Sequence, residues 1–269
     1  MANNLTLEDI NNLYFWATKL EEKKITFEEL ESKEDILNLT SITARNSLPK
    51  EVFKLNRLEY LIIEVEDLTE LPKEIGNLTN LEMLVIECPN LNELPKEIGN
   101  LTNLDGLIIK CPNLKELPKE IGNLTNLGAS SRGSPFRHHV EIDCHNLNEL
   151  PKEIGNLTNL LLLRISSHNL KELPKEIGNL NNLEELEIKC PNLNELPKEI
   201  GNLNNLKKLE IKCHNLKELP KEIWNLSEFE VEFDIKNNNN KELLKYIVDS
   251  PNNENKDVEL KINIKKKED

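Results

Sequence analysis

The sequence predicts an α/β solenoid, a stack of equivalent units that each supply one short strand and one irregular or helical return arm. Three observations carry this expectation. Pro49, Pro72, Pro95 and Pro118 lie 23 residues apart, and after one longer gap Pro151, Pro174, Pro197 and Pro220 resume the same step. Most of these prolines belong to the same phrase, Leu-Pro-Lys-Glu-Ile-Gly-Asn-Leu. Apolar residues make up 38% of the chain and aromatics only 4%, so the core must be assembled from repeated aliphatics. A fixed period of this length marks units that bury their apolar sides only against one another.

Residues 1–36 read as a helical N-terminal cap. Thr6 opens a helix through Ile10, Leu13, Trp16 and Leu20, and Thr26 before Phe27, Glu28 and Glu29 marks a second helix start. The solenoid occupies residues 37–235 and holds eight proline-marked repeats. Within a unit, Leu84, Ile86 and Cys88 alternate with Val85 and Glu87, the period of a strand with one buried face. Leu91 and Leu94 then step by three into Pro95, which lacks a backbone donor and turns the chain away from the strand. Ile98, Leu101 and Leu104 keep the spacing of three, which suits a short helical or 3₁₀ arm.

The gap from Pro118 to Pro151 is 33 residues, so one repeat carries ten extra. They fall within residues 128–139, Gly-Ala-Ser-Ser-Arg-Gly-Ser-Pro-Phe-Arg-His-His. This stretch lacks the Asn, Lys, Glu and Leu that fill the rest of the array, and it reads as an inserted loop. Residues 236–269 read as an α/β C-terminal cap and tail. Phe229, Val231, Phe233 and Ile235 alternate as a closing strand ahead of it. A helix is expected over residues 241–250, and Val258, Leu260, Ile262 and Ile264 alternate as a final strand.

The net charge is -14, and phosphate binding needs a basic stripe, so nucleic acid is excluded as the expected partner. No apolar run approaches the length of a membrane span. The N-terminus lacks the basic start and apolar run of a secretory signal, so a cytoplasmic location is expected, with export without such a signal as the alternative. A monomer is expected. The sequence holds no phosphate-binding loop, no glycine-rich dinucleotide turn and no metalloprotease helix motif, so neither a cofactor nor a metal is expected.

Cys88, Cys111, Cys144, Cys190 and Cys213 share one repeat position, which Val65 and Ser167 also occupy. Exchange among Cys, Val and Ser points to a small buried side chain. Cys144-His145-Asn146 and Cys213-His214-Asn215 hold the residue types of a thiol-protease triad, but alternation sends Cys and His to opposite sides. A nucleophile and its base must lie within hydrogen-bond reach, so a thiol enzyme is the weakest functional reading.

The pattern Leu-x-x-Leu-x-Leu, a following Asn, and then Leu-x-x-Leu-Pro-x-x-Ile resembles the leucine-rich repeat family, in the 23-residue form common in intracellular bacterial and eukaryotic members. The resemblance covers residues 37–235. It implies a curved right-handed solenoid, or horseshoe, with a parallel sheet on the concave face and protein ligands bound there. This chain departs from the family pattern at the strand end, where Pro89, Pro112, His145, His168, Pro191 or His214 stands in the usual place of Asn, which follows one residue later.

Alternation within that architecture lists the concave side chains. Tyr60, Ile62, Met83, Val85 and Ile108 form an apolar N-terminal half, expected as an exposed contiguous patch. Leu162 and Arg164 follow, and beyond them Glu185, Glu187, Lys189, Lys208, Glu210 and Lys212 alternate in charge. The expected function is non-enzymatic binding of a partner protein through Tyr60, Ile62, Met83, Val85, Ile108, Leu162 and Arg164. An effector acting on host proteins is the alternative within the same class.

Overall fold

The computed structural model describes residues 5–19, 32–129, 139–213, 215–226, 230–234 and 260–263. Among the described residues, ten short strands form one parallel sheet in strictly sequential order. They are β1 (Ser41–Ala44), β2 (Tyr60–Ile63), β3 (Met83–Ile86), β4 (Gly106–Ile109) and β5 (His139–Asp143). The sheet continues through β6 (Leu162–Ser166), β7 (Glu185–Lys189), β8 (Lys208–Ile211), β9 (Glu230–Asp234) and β10 (Leu260–Asn263). Sequential parallel strands require a crossover between each pair, and the 23-residue period supplies it. The result is the expected right-handed solenoid. β1 is a rung that the proline count alone does not reveal.

Register follows from the period. Leu61 pairs with Leu84 and Leu84 with Leu107, while Leu163 pairs with Leu186 and Leu186 with Leu209. Identical residues therefore stack on neighbouring strands, and the buried face is a set of aliphatic ladders. One continuous cluster of buried residues runs from Leu13 to Leu226.

The return arms are five-residue 3₁₀ segments. Pro95, with φ -68° and ψ 142°, turns the chain into Lys96–Asn100, and Pro174, with φ -63° and ψ 139°, into Lys175–Asn179. Two i→i−3 bonds frame each arm. In the first of these, Ile98 N–H donates to Pro95 O at 3.0 Å and Leu101 N–H to Ile98 O at 3.1 Å. Successive arms approach backbone to backbone. A Cβ on Gly99 would lie 2.5 Å from Glu120 O, and one on Gly178 would lie 2.3 Å from Glu199 O. Six consecutive units place Gly here; the first arm has Phe53 and the last has Trp224. Phe53 is buried.

Gly128 begins the long repeat differently. Its N–H donates to Asp105 O at 3.0 Å, the bond that Asp105 N–H makes to Glu82 O in the unit before. Its φ of 85° then turns the chain off the ladder, a conformation glycine adopts without cost. The chain rejoins the sheet at His139.

At the N-terminal end, Leu7–Lys19 forms the α-helix α1, capped as expected by Thr6, whose Oγ1 accepts from Asp9 N–H at 3.1 Å. Leu13 enters the core, and Trp16 Nε1 donates to Ser47 Oγ at 3.0 Å. Lys54 Nζ reaches both carboxylate oxygens of Asp9 at 2.8 Å and ties the helix to the first arm. This ion pair, with the Thr6 backbone and hydroxyl donors, holds the Asp9 carboxyl down at about 2. The second helix start at Thr26, the helix over 241–250 and the tail lie outside the described residues.

Three outcomes test this description. Gly178→Ala introduces a Cβ that only backbone movement can accommodate, and thermal melting should show a loss of about 1–3 kcal/mol. Leu84→Asp and Ile188→Asp place a charge at fully buried sites and should each remove upwards of about 4 kcal/mol, with unchanged melting contradicting the register. The folded-state pKa of Asp9 is depressed, so its contribution is present above pH 3.8 and is lost as pH falls through about 2. Docking of α1, followed by Trp16 fluorescence, should weaken across that window, and Lys54→Met should reduce the pH dependence to the part that the Thr6 donors supply.

Candidate functional site

The concave face displays rows of side chains that cross the strands. The middle row runs Thr43, Ile62, Val85, Ile108, Glu141, Arg164, Glu187 and Glu210, in register throughout. Its character changes from apolar to charged between Ile108 and Glu141, at the junction that carries the insertion. Tyr60 and Met83 stand beside the apolar stretch in the adjacent row.

Tyr60, Ile62, Met83, Val85 and Ile108 come together as one apolar cluster, separate from the core behind the sheet. The expectation that they are exposed needs correction. Met83, Val85 and Ile108 are only 6%, 9% and 8% exposed. Strands about 4.8 Å apart put an in-register neighbour against each side. Val85, between Ile62 and Ile108, therefore offers little beyond its tip. Tyr60 and Ile62 are half-buried and pack on this cluster.

Leu162 and Arg164 do not join the cluster. Leu162 pairs across the sheet with His139 and Glu185, and Arg164 lies between Glu141 and Glu187. Arg164 Nε is 2.9 Å from Glu187 Oε2, and Lys189 also reaches Glu187. Lys208 and Lys212 both hold Glu210. Burial of Glu210 opposes its ionisation, but the two lysines outweigh this and lower its pKa. Lys110 bridges the halves, 3.1 Å from Glu87 and 3.7 Å from Glu141. Its partial burial disfavours the charge, but these carboxylates prevail and raise its pKa. Beside the apolar cluster, at the N-terminal ends of the strands, lies a groove of about 510 Å³ lined by Thr40, Arg57, Glu59, Asn80, Glu82 and Asn103.

A protein-family profile described as a leucine-rich repeat region matches residues 35–134. A leucine-rich repeat protein of Leptospira interrogans is similar in structure, with 34% identity, a TM-score of 0.61, and 76% of this chain and 51% of that one covered. This is a leucine-rich repeat protein. The chain thus spans about half the length of the Leptospira structure. The leucine-rich repeat domain of the type III effector XopL is similar at 25% identity and a TM-score of 0.55, covering 82% of this chain and 87% of that domain. The plant peptide hormone receptor RGFR1, in complex with RGF2, is similar at 28% identity and a TM-score of 0.53, covering 74% of this chain and 36% of the receptor. A comparison with curated proteins finds none that matches.

The departure at the leucine-rich repeat strand end has a structural counterpart. The displaced Asn residues lie on exposed turns and still bond along the stack, as Asn90 Nδ2 does to Glu66 O at 3.0 Å and Asn192 Nδ2 to His168 O at 2.7 Å. Cysteines fill the buried place. Cys88 Sγ donates to Ile63 O at 3.5 Å and Cys213 Sγ to Ile188 O at 3.8 Å, each reaching back one unit. Ser167 takes the same place and bonds Leu147 O at 2.8 Å. A second asparagine ladder borders the other ends of the strands. Asn80 Nδ2 donates to Asn56 O at 2.6 Å, Asn103 to Thr79 O at 2.8 Å, and Asn159 to Thr125 O at 2.8 Å. The sequence reading missed this ladder, although its signal is plain: Asn precedes the same Leu in nearly every unit.

All five thiols are buried and free. Burial pushes Cys111, Cys144, Cys190 and Cys213 up to about 12 and raises Cys88 as well. The thiolate that nucleophilic chemistry requires is thus suppressed. His145 is exposed and stacks on His168 with ring centroids 4.7 Å apart. His139, by contrast, is buried on β5; residues 130–138 of the insertion, His138 among them, and His214 lie outside the described residues. Among the described residues, no three metal-ligating side chains come together, and no helix is long and apolar enough to cross a membrane.

The thiols supply a prediction. In the folded protein at pH 8 none should react with a maleimide at a measurable rate, whereas all five should react after denaturation. Because their folded-state values are raised, the stabilisation is complete below the ordinary value of 9.0 and is lost as pH rises towards about 12. Melting temperature should fall across that range, and Cys144→Ala with Cys190→Ala should flatten the decline.

Proposed function

We propose that this leucine-rich repeat protein is a non-enzymatic interaction module that binds a partner protein through the N-terminal half of its concave face. The observation that carries the reading is the second apolar cluster, Tyr60, Ile62, Met83, Val85 and Ile108, which stands apart from the core and is not needed to bury it. Tyr60 and Ile62 keep one end of the cluster half-exposed, and accessible apolar side chains beside a polar border are the usual anatomy of a binding patch. Leu162 and Arg164 belong to the same reading as its continuation along the face, where charged pairs such as Arg164 with Glu187 select among partners more than they add affinity. The peptide complex of the similar plant receptor supports a ligand-binding role for an array of this kind.

A second reading concerns where the module acts. The likeness to the XopL domain covers most of both chains and favours an effector that engages host proteins. Detection of a reporter-tagged protein inside host cells during contact with the source organism tests it.

The binding reading is tested by capture from source and host lysates with the wild type and with a Tyr60→Ser, Ile62→Ser, Val85→Ser variant shown by melting to remain folded. A partner held by the wild type and lost from the variant supports the concave site. A partner retained equally by both excludes it.

A further inference from the structure

The geometry points to a binding site for a divalent transition-metal ion at the imidazole pair His145 and His168, on the turns that follow β5 and β6. Neither histidine belongs to the apolar cluster of Tyr60, Ile62, Met83, Val85 and Ile108, so this site stands or falls separately from partner binding there. The two histidines occupy equivalent places on adjacent rungs, and Pro112 and Pro191 take those places on the rungs to either side. The row is therefore a pair, bounded by residues that cannot ligate. His168 N–H donates to His145 O at 3.0 Å, so one backbone bond joins the two residues directly. Asn192 Nδ2 donates to His168 O at 2.7 Å, and the Ser167 hydroxyl donates to Leu147 O at 2.8 Å, which pins both turns. Both rings are exposed, with centroids 4.7 Å apart and planes 13° from parallel.

Asp143 supplies the orienting group. Its Oδ1 is buried and, among the described residues, has no hydrogen-bond partner, while His145 Nδ1 lies 3.8 Å away. A small turn of the exposed ring brings Nδ1–H within reach of that oxygen. This selects the tautomer that leaves Nε2, on the opposite edge, with its lone pair. A histidine that binds metal through one nitrogen commonly gives its other N–H to a carboxylate, which orients the ring and raises the basicity of the ligating atom. Zinc holds imidazole nitrogens at about 2.0–2.1 Å in tetrahedral geometry, which sets two of them about 3.3 Å apart. Stacked exposed rings reach that separation by tilting their edges together, with the backbone unmoved. Among the described residues no third ligating side chain joins the pair, so water fills the remaining positions and the ion exchanges with solvent. Imidazole donors select copper, nickel and zinc over magnesium and calcium, which take oxygen ligands.

The test is calorimetric titration of the full chain with zinc chloride at neutral pH in chelator-free buffer, followed by electron paramagnetic resonance with copper(II). Zinc should saturate at one ion per chain, and copper, the tighter ion of the series, should show nitrogen couplings from two imidazoles. His145→Gln and His168→Gln should each weaken zinc at least about tenfold and reduce the copper signal to one imidazole. Asp143→Asn should keep both nitrogens in the copper signal and weaken zinc by about 10–100-fold. His138→Gln with His214→Gln should leave zinc binding unchanged, and calcium chloride should give no binding heat. Each variant is compared with the wild type by melting without metal, which confirms that the fold is intact. Zinc bound equally by the wild type and by His145→Gln with His168→Gln would overturn the site, by placing the ion on the thiols or on other histidines. Absence of zinc uptake by the wild type, loss of binding in the His138 and His214 control, or calcium binding of equal strength would overturn it as well.

Discussion

Backbone-to-backbone contact between successive return arms is the constraint on which the rest of the stack depends. The sheet side of each unit is held by parallel hydrogen bonding, which any sequence of suitable strand propensity can supply. The arm side, among the described residues, has no such bonding between one 3₁₀ segment and the next; backbone bonds between units there, such as Asn92 N–H to Thr69 O at 3.3 Å, precede the arm. It closes only because Gly76, Gly99, Gly122, Gly155, Gly178 and Gly201 leave room for the Glu carbonyl of the following arm. That approach is what lets Ile98, Ile121 and their equivalents seal the core from the outside.

With core and arms carrying the fold, the two rims are fastened by polar ladders. Asparagine amides reach back one unit on both sides of the strands, and the buried thiols do the same just inside one rim. The concave rows are thereby released from any duty to hold the structure together. This explains how Ile62, Val85 and Ile108 can be followed in the same row by Glu141, Arg164 and Glu187 while the strands remain in register.

Much of this was legible in the sequence because a repeated signal is read many times over. The strand at Leu84–Ile86, the turn at Pro95 and the short arm behind it could be assigned from one unit and checked against its copies. The concave membership of Tyr60, Met83 and Ile108 followed from alternation alone. Their degree of burial did not, because it depends on neighbours 23 residues away and on how closely the strands pack. The asparagine ladder beginning at Asn80 was visible as a pattern but not as a bond, since its acceptor is a main-chain carbonyl that no side-chain identity marks. β1 was missed because Ser41–Ala44 follows no proline of the series. The separation of Leu162 and Arg164 from the apolar cluster arises at β5, where the inserted repeat brings His139 and Glu141 into the face.

The uniformity of the glycine joint has an evolutionary corollary. Every junction between Gly76 and Gly201 presents the same socket to the same arm, so a unit copied or deleted at a whole period leaves each surviving seam chemically unchanged. Duplication upstream of Gly128 lengthens the oily half of the concave surface, and duplication downstream lengthens the charged half. The two can therefore be resized independently. The socket is absent from the first arm, where the buried ring of Phe53 takes the place of the glycine.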